Sequence, residues 1–261
     1  MSRWNRPAGA RPFLMGVLNV TPDSFSDGGM FLNTGDAVRH AFELVGAGAD
    51  IIDVGGESTR PGSCPVTAKT ELERIIPVIR DVAPSLSIPL SVDTCKPEVA
   101  EAALDAGAET INDVCGLTDA RMMSLVSSSG AEVVIMHMHG SPRTLASDIM
   151  ADPALPEIKR FFDRQTSAAI EAGVKPNKII IDPGVGFGKT HEQNMQIIRN
   201  PRCFSDGFPV LIGPSRKRFL AHGFPGMGRD EATVEAAMIS WESGADVIRL
   251  HDVSRVRSAS E

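Results

Sequence analysis

Short apolar runs that do not alternate, polar residues set where each run stops, and helix-like stretches between them together predict a (β/α)8 TIM barrel. Runs of that kind suit strands buried on both faces, as in a parallel sheet covered by helices. The length, 261 residues, is close to the roughly 250 of one such barrel. In this architecture the C-terminal strand ends all face one mouth, which is where active sites lie. The polar tips therefore become one ring around one pocket.

Taken in order, the first run, residues 13–18, ends at Asn19. Ile51-Ile52 ends at Asp53, residues 90–92 at Asp93, and Ile111 at Asn112-Asp113. Residues 133–136 end at His137, 179–181 at Asp182, and 210–212 run on to Ser215 and Lys217. The last strand surrounds Leu250 with Arg249 and His251. Between the first two runs, Val38, Ala41, Phe42 and Val45 share one face of a helix over 37–46. Pro97 suits the first turn of a helix over 98–106. A degenerate repeat marks helix ends: Gly-Ala-acid precedes a strand at Gly48, Gly107, Gly130 and Gly244, with Gly173 as a looser copy. Glycine there supplies a left-handed cap that turns the chain toward the next strand. After the eighth strand only residues 254–261 remain, fewer than a closing helix of average length. No linker, charge block or low-complexity segment interrupts the chain, so residues 1–261 read as a single domain.

Hydrophobic content of 42% supports a core. A net charge of −7 argues against broad nucleic-acid binding, although a few converging cations can still hold an anionic substrate. Four cysteines without a C-x-x-C pair read as reduced thiols, which places the protein in the cytoplasm. No apolar run reaches the roughly 18 residues of a membrane span. Residues 1–12 are basic but lead into no signal-peptide core.

Several motifs carry chemistry. Residues 19–29, Asn-Val-Thr-Pro-Asp-Ser-Phe-Ser-Asp-Gly-Gly, are dense in oxygen donors and could hold Mg²⁺, a hard cation that bridges phosphates. Taken alone, Asn-Val-Thr-Pro-Asp is also a turn. In residues 55–62 two glycines permit close backbone approach, and Thr59 and Arg60 offer donors to an anion; a plain Gly-rich turn is the alternative. Asp93, Asn112-Asp113 and Asp182 put carboxylates and an amide at separate strand tips, suited to the edge of a flat heterocycle such as a pterin. Helix-capping is the other use of such aspartates.

Residues 182–190, Asp-Pro-Gly-Val-Gly-Phe-Gly-Lys-Thr, approach a P-loop but carry Pro183 where the first glycine belongs. The glycines instead suit backbone running under a planar ligand, with Phe187 as an apolar wall. Ser215, Lys217, Arg249 and His251 fall after strands seven and eight, the habitual phosphate region of this barrel. The run 216–218 could equally be a solvated basic surface. His137-x-His139 lacks a third ligand and reads as a core or rim pair.

These motifs, in this order and over residues 13–253, resemble the dihydropteroate synthases. The resemblance implies that 4-aminobenzoate is joined to 6-hydroxymethyl-7,8-dihydropterin diphosphate, with release of diphosphate, in folate synthesis. It implies that Asn19 binds Mg²⁺ and that Asp93, Asn112, Asp182 and Lys217 hold the pterin with Arg249 against its face. Thr59 would contact the substrate near its diphosphate, which Arg249, His251 and Asn19 anchor. Arg60 and Ser215 would lie toward the aminobenzoate, where sulfonamides compete. Asp93, Arg249 and His251 are the expected catalytic groups, and the family is usually a homodimer. A pterin-binding methyltransferase and a catalytically silent pterin-binding protein are the rival readings.

Overall fold

The structure is a computed structural model that describes residues 2–7, 9–21, 34–58, 63–141, 144 and 148–260. Eight strands, β1 Phe13–Asn19, β2 Ile51–Gly55, β3 Leu90–Asp93, β4 Thr110–Asp113, β5 Glu132–Met136, β6 Ile179–Asp182, β7 Leu211–Ile212 and β8 Val247–Leu250, run parallel in one sheet. They pair in chain order, and β1 pairs with β8. A parallel bridge between Ile181 and Val210 joins β6 to β7 and brings the last edge together into a barrel.

The helices α1 Thr34–Gly46, α2 Ala68–Val82, α3 Pro97–Asp105, α4 Ala120–Ser129, α5 Ala154–Glu171, α6 His191–Arg199, α7 Phe219–Gly223, α8 Arg229–Glu242 and α9 Val253–Ala259 lie between and after the strands. Alternation along each strand splits the core in two. Leu14, Ile52, Val92, Ile111, Ile135, Ile181 and Ile248 face the helices. Met15, Ile51, Val134, Ile180, Leu211 and Val247 form a second cluster inside the barrel. Both sets are apolar, which is why the runs do not alternate.

The predicted caps are in place. Gly48, Gly107, Gly130, Gly173 and Gly244 all have positive φ, between 69° and 115°. Pro97 opens α3, and Thr190 with Gln193 forms a capping box on α6. One predicted boundary moves. The first helix begins at Thr34 rather than Ala37. Residues 215–218 form a turn, with Arg216 at φ 58°, and the helix that follows is only five residues long. The short tail forms a stub helix, α9, which buries Val253 and Val256 against the barrel.

Residues 2–6 acquire a structural role that their composition did not reveal. Trp4 is buried with the inner cluster and meets Phe13 edge to face at 5.2 Å between ring centroids. Its Nε1–H donates to the buried Glu132 carboxylate (2.8 Å), as do the Arg3 guanidinium (2.7 and 3.0 Å) and the Thr110 hydroxyl (3.2 Å). Glu132 and Thr110 begin their strands, so the segment plugs the end of the barrel opposite the mouth. No described helix is long and apolar enough to cross a membrane.

Candidate active site

Strand register builds the mouth. Asn19 pairs with Gly55, Gly55 with Asp93, and Asp93 with Asn112, so four adjacent strands contribute one continuous row. Gly55 leaves a gap in that row. A Cβ there would lie 3.5 Å from Asp93 Cβ and 3.9 Å from Asn19 Oδ1. Half-buried Asn19 therefore sits beside Asp93 across an open step.

Arg249 ties the row from β8. Its Nε donates to Asp53 Oδ2 and its Nη2 to Asp93 Oδ2, both at 2.7 Å. Asn112 Nδ2 donates to the same Asp53 oxygen at 2.9 Å. Asp53 is completely buried, one step below Gly55 on the inner face of β2. Burial pushes the Asp93 carboxyl up to about 7, against the pull of Arg249. Asp53 Oδ1, Asn112 Oδ1 and the Ser91 hydroxyl are buried without a hydrogen-bond partner. Such unsatisfied acceptors are costly unless a ligand with donors completes them.

The loop after β6 forms the adjoining wall. Asp182 Oδ1 accepts the Gly184 N–H at 2.7 Å, and burial raises its pKa while Lys217 opposes the rise. Lys189, buried, donates to the carbonyls of Gly184 (2.9 Å), Phe187 (3.0 Å) and His137 (3.3 Å). It thus holds the loop in shape rather than cradling phosphate, consistent with rejection of the P-loop. Gly184 runs so close to β5 that a Cβ would fall 2.0 Å from the His137 carbonyl. Lys217 reaches the Val185 carbonyl at 2.5 Å and stands 4.7 Å from the centre of the Phe187 ring. Burial lowers Lys217 to about 8, with Asp182 acting in the opposite sense. Gly213 makes room: a Cβ there would lie 3.7 Å from Arg249 Cβ and 3.9 Å from Lys217 Nζ.

Ser215 and His251 close the ring. The Ser215 hydroxyl accepts the His251 N–H at 3.1 Å and lies 3.0 Å from its ring Nδ1. Arg216 turns outward to Asp230 and Arg218 is exposed, so of this run Ser215 and Lys217 are the buried or half-buried members. Asn19, Asp93, Asn112, Asp182, Phe187, Ser215, Lys217, Arg249 and His251 are thus gathered at one mouth. Thr59 and Arg60, with residues 22–31 of the first long loop, lie outside the described residues.

Sequence reading missed the role of Asp53, noted only as a strand tip; its two-residue offset from Gly55 was the available signal. Asp113 is corrected. It faces away from the mouth, and its two oxygens accept the N–H groups of Cys115 (2.8 Å) and Leu117 (2.9 Å). It is one step out of phase with Asn112, so it ties down the loop. His137 is a core residue, packed edge to face on Phe161, and burial lowers it to about 2.

Fold and site together define a barrel enzyme with fixed acceptors for a donor-bearing flat ring and cations for an anion beside it. The family model described as pterin binding enzyme matches residues 15–251. A dihydropteroate synthase of Synechocystis sp. is 42% identical over 250 residues, 94% of this chain and 86% of the relative. The Xanthomonas albilineans dihydropteroate synthase with 4-aminobenzoic acid superposes with a TM-score of 0.88 at 40% identity, covering 96% of this chain and 91% of the other. The same organism's enzyme in complex with 7,8-dihydropteroate gives 0.85 at 38% identity, again over 96% and 91%. The chain belongs to the pterin-binding enzyme family and, within it, to the dihydropteroate synthases.

Proposed function

We propose that this enzyme condenses 4-aminobenzoate with 6-hydroxymethyl-7,8-dihydropterin diphosphate and releases diphosphate, as a pterinylmethyl transferase of folate synthesis. The observation that carries this reading is the buried row Asp53–Arg249–Asp93 with Asn112, set beside Lys217, Ser215 and His251. The row offers acceptors to the amino and ring N–H groups of a pterin. Lys217 joins the row in holding the pterin, Ser215 lies toward the aminobenzoate, and His251 with Arg249 offers donors to the departing diphosphate.

The arylamine nitrogen is neutral and nucleophilic near pH 7, so its attack needs no strong base. The demanding event is loss of diphosphate from the methylene carbon. Arg249 and His251 stabilise the leaving oxygen as its charge grows. Asp93 and Asp182 stabilise the electron-poor carbon conjugated with the dihydropterin ring. The displacement is dissociative: the C–O bond breaks first and its electron pair leaves with the diphosphate, then the amine nitrogen forms the C–N bond to the electron-poor carbon and gives up a proton. Arg249, clamped by two carboxylates, keeps its charge and would present its flat side to the pterin. Thr59 and Arg60 are assigned to the diphosphate and aminobenzoate sides on the resemblance alone.

Mg²⁺ fits the donor chemistry at Asn19, whose amide oxygen is a hard, uncharged ligand at the mouth. There it would offset the charge of the departing diphosphate. We also assign the enzyme a cytoplasmic location, on its unpaired cysteines, and, on the resemblance, a homodimeric state and an aminobenzoate site open to sulfonamide competition.

The test is dihydropteroate formation from the two substrates, with and without Mg²⁺, and a methyl-transfer assay as control. Product is expected, with loss of rate on chelation. Asp182→Ala should chiefly weaken pterin binding. His251→Ala should slow turnover by about 10²–10³. Wild-type kinetics in both variants would remove these assignments.

A further inference from the structure

Cys95 and Cys115 are twenty residues apart in sequence, but parallel pairing of β3 with β4 brings them together in the loops that follow those strands. The Sγ atoms of Cys95 and Cys115 and a carboxylate oxygen of Asp113 all lie within 4.8 Å of one another. Both thiols are half-buried and so reachable by a small solute, whereas Asp113 is buried. We propose that Cys95, Cys115 and Asp113 form a binding site for a borderline-soft divalent cation, of which Zn²⁺ and Cd²⁺ are the representatives.

The donor set argues for that class. Two thiolates exclude Mg²⁺ and Ca²⁺, which require oxygen, and favour Zn²⁺ and its softer congeners. Three protein ligands leave the fourth tetrahedral position to water. Asp113 is already oriented, because its two oxygens accept the Cys115 and Leu117 N–H groups, and each oxygen keeps a lone pair for a metal. Lys96, the neighbouring cation, does not compete for the site, since its Nζ is taken by Glu57 and Glu71. Binding releases the thiol protons and joins the two loops that continue from Asp93 and Asn112. Occupancy is therefore expected to alter pterin affinity without taking part in the displacement.

The experiment is titration of the reduced, full-length protein with Cd²⁺, following the ultraviolet thiolate-to-metal charge-transfer band, then back-titration with Zn²⁺. One equivalent of Cd²⁺ should raise the band and Zn²⁺ should abolish it. Cys95→Ser and Cys115→Ser should each lose the band, whereas a Cys64→Ser/Cys203→Ser protein should keep it. In the unaltered protein, Zn²⁺ should protect two of the four thiols from a disulfide reagent, a readout that does not depend on any variant folding. No band in the wild-type protein, a band that survives in Cys95→Ser/Cys115→Ser, or thiols equally reactive with and without Zn²⁺ would each overturn the proposal.

Discussion

The floor of the mouth depends on one carboxylate, Asp53, which receives both Arg249 and Asn112 and has no exposure to water. Asp53→Asn keeps the shape but removes the charge. Arg249 retains Asp93, so the loss is that of a charged hydrogen bond, about 1.5–3 kcal/mol of stability by denaturant unfolding. Pterin affinity should fall with it; unchanged affinity would mean that Asp53 only supports the barrel. Titration of the site adds a second expectation. Asp93, raised by burial to about 7, must be ionised to accept from the pterin, so affinity is lost as pH falls through that value. Lys217, lowered by burial to about 8, loses its charge as pH rises through that value. Pterin binding measured by calorimetry should therefore be tightest between about 7 and 8. An affinity that stays constant from well below about 7 to well above about 8 would refute the pairing. Asp53 and Asp93 were both visible as strand tips. Which of them meets the mouth and which lies beneath it depended on registers that sequence does not display.

Among the elements, the loop between β6 and α6 carries the strongest backbone constraint. Gly184 has φ 65° and no room for a Cβ beside the His137 carbonyl, whereas Gly130 has φ 69° and nothing within 4 Å of a Cβ. Both Gly→Ala changes pay the left-handed penalty of roughly 1–2 kcal/mol. Gly184→Ala must also push β5 and the loop apart, so it should unfold more easily than Gly130→Ala and should weaken pterin binding through Asp182. Equal melting temperatures for the two variants would show that the loop yields freely. Glycine at this place was legible, because the spacing resembles a phosphate loop and fails by one residue. The buried Lys189, which pins the loop through three carbonyls, was not, since nothing in the local pattern says where a lysine turns.

At the scale of the whole molecule, the barrel has a working end and a sealed end. Trp4 fills the sealed end and gives Glu132 one of its donors. Trp4→Ala should cost about 3–5 kcal/mol, which for a domain of this size lowers Tm by roughly 10 °C. Calorimetric scanning that finds Tm unchanged would show that the segment rests loosely on the barrel. Activity at low temperature should change little, because Trp4 is at the end opposite the mouth.

Strand number, parallel order, the left-handed glycine caps and most of the polar ring follow from the sequence alone. Each depends on local periodicity or on the backbone freedom of one residue type. Tertiary structure alone decided the rest: the plug at the base, the burial of Asp53, the outward turn of Asp113 and Arg216, and the meeting of Cys95 with Cys115. Those outcomes are set by strand register and barrel closure. Residues far apart in the chain become neighbours only once the sheet curves around and its first strand meets its last.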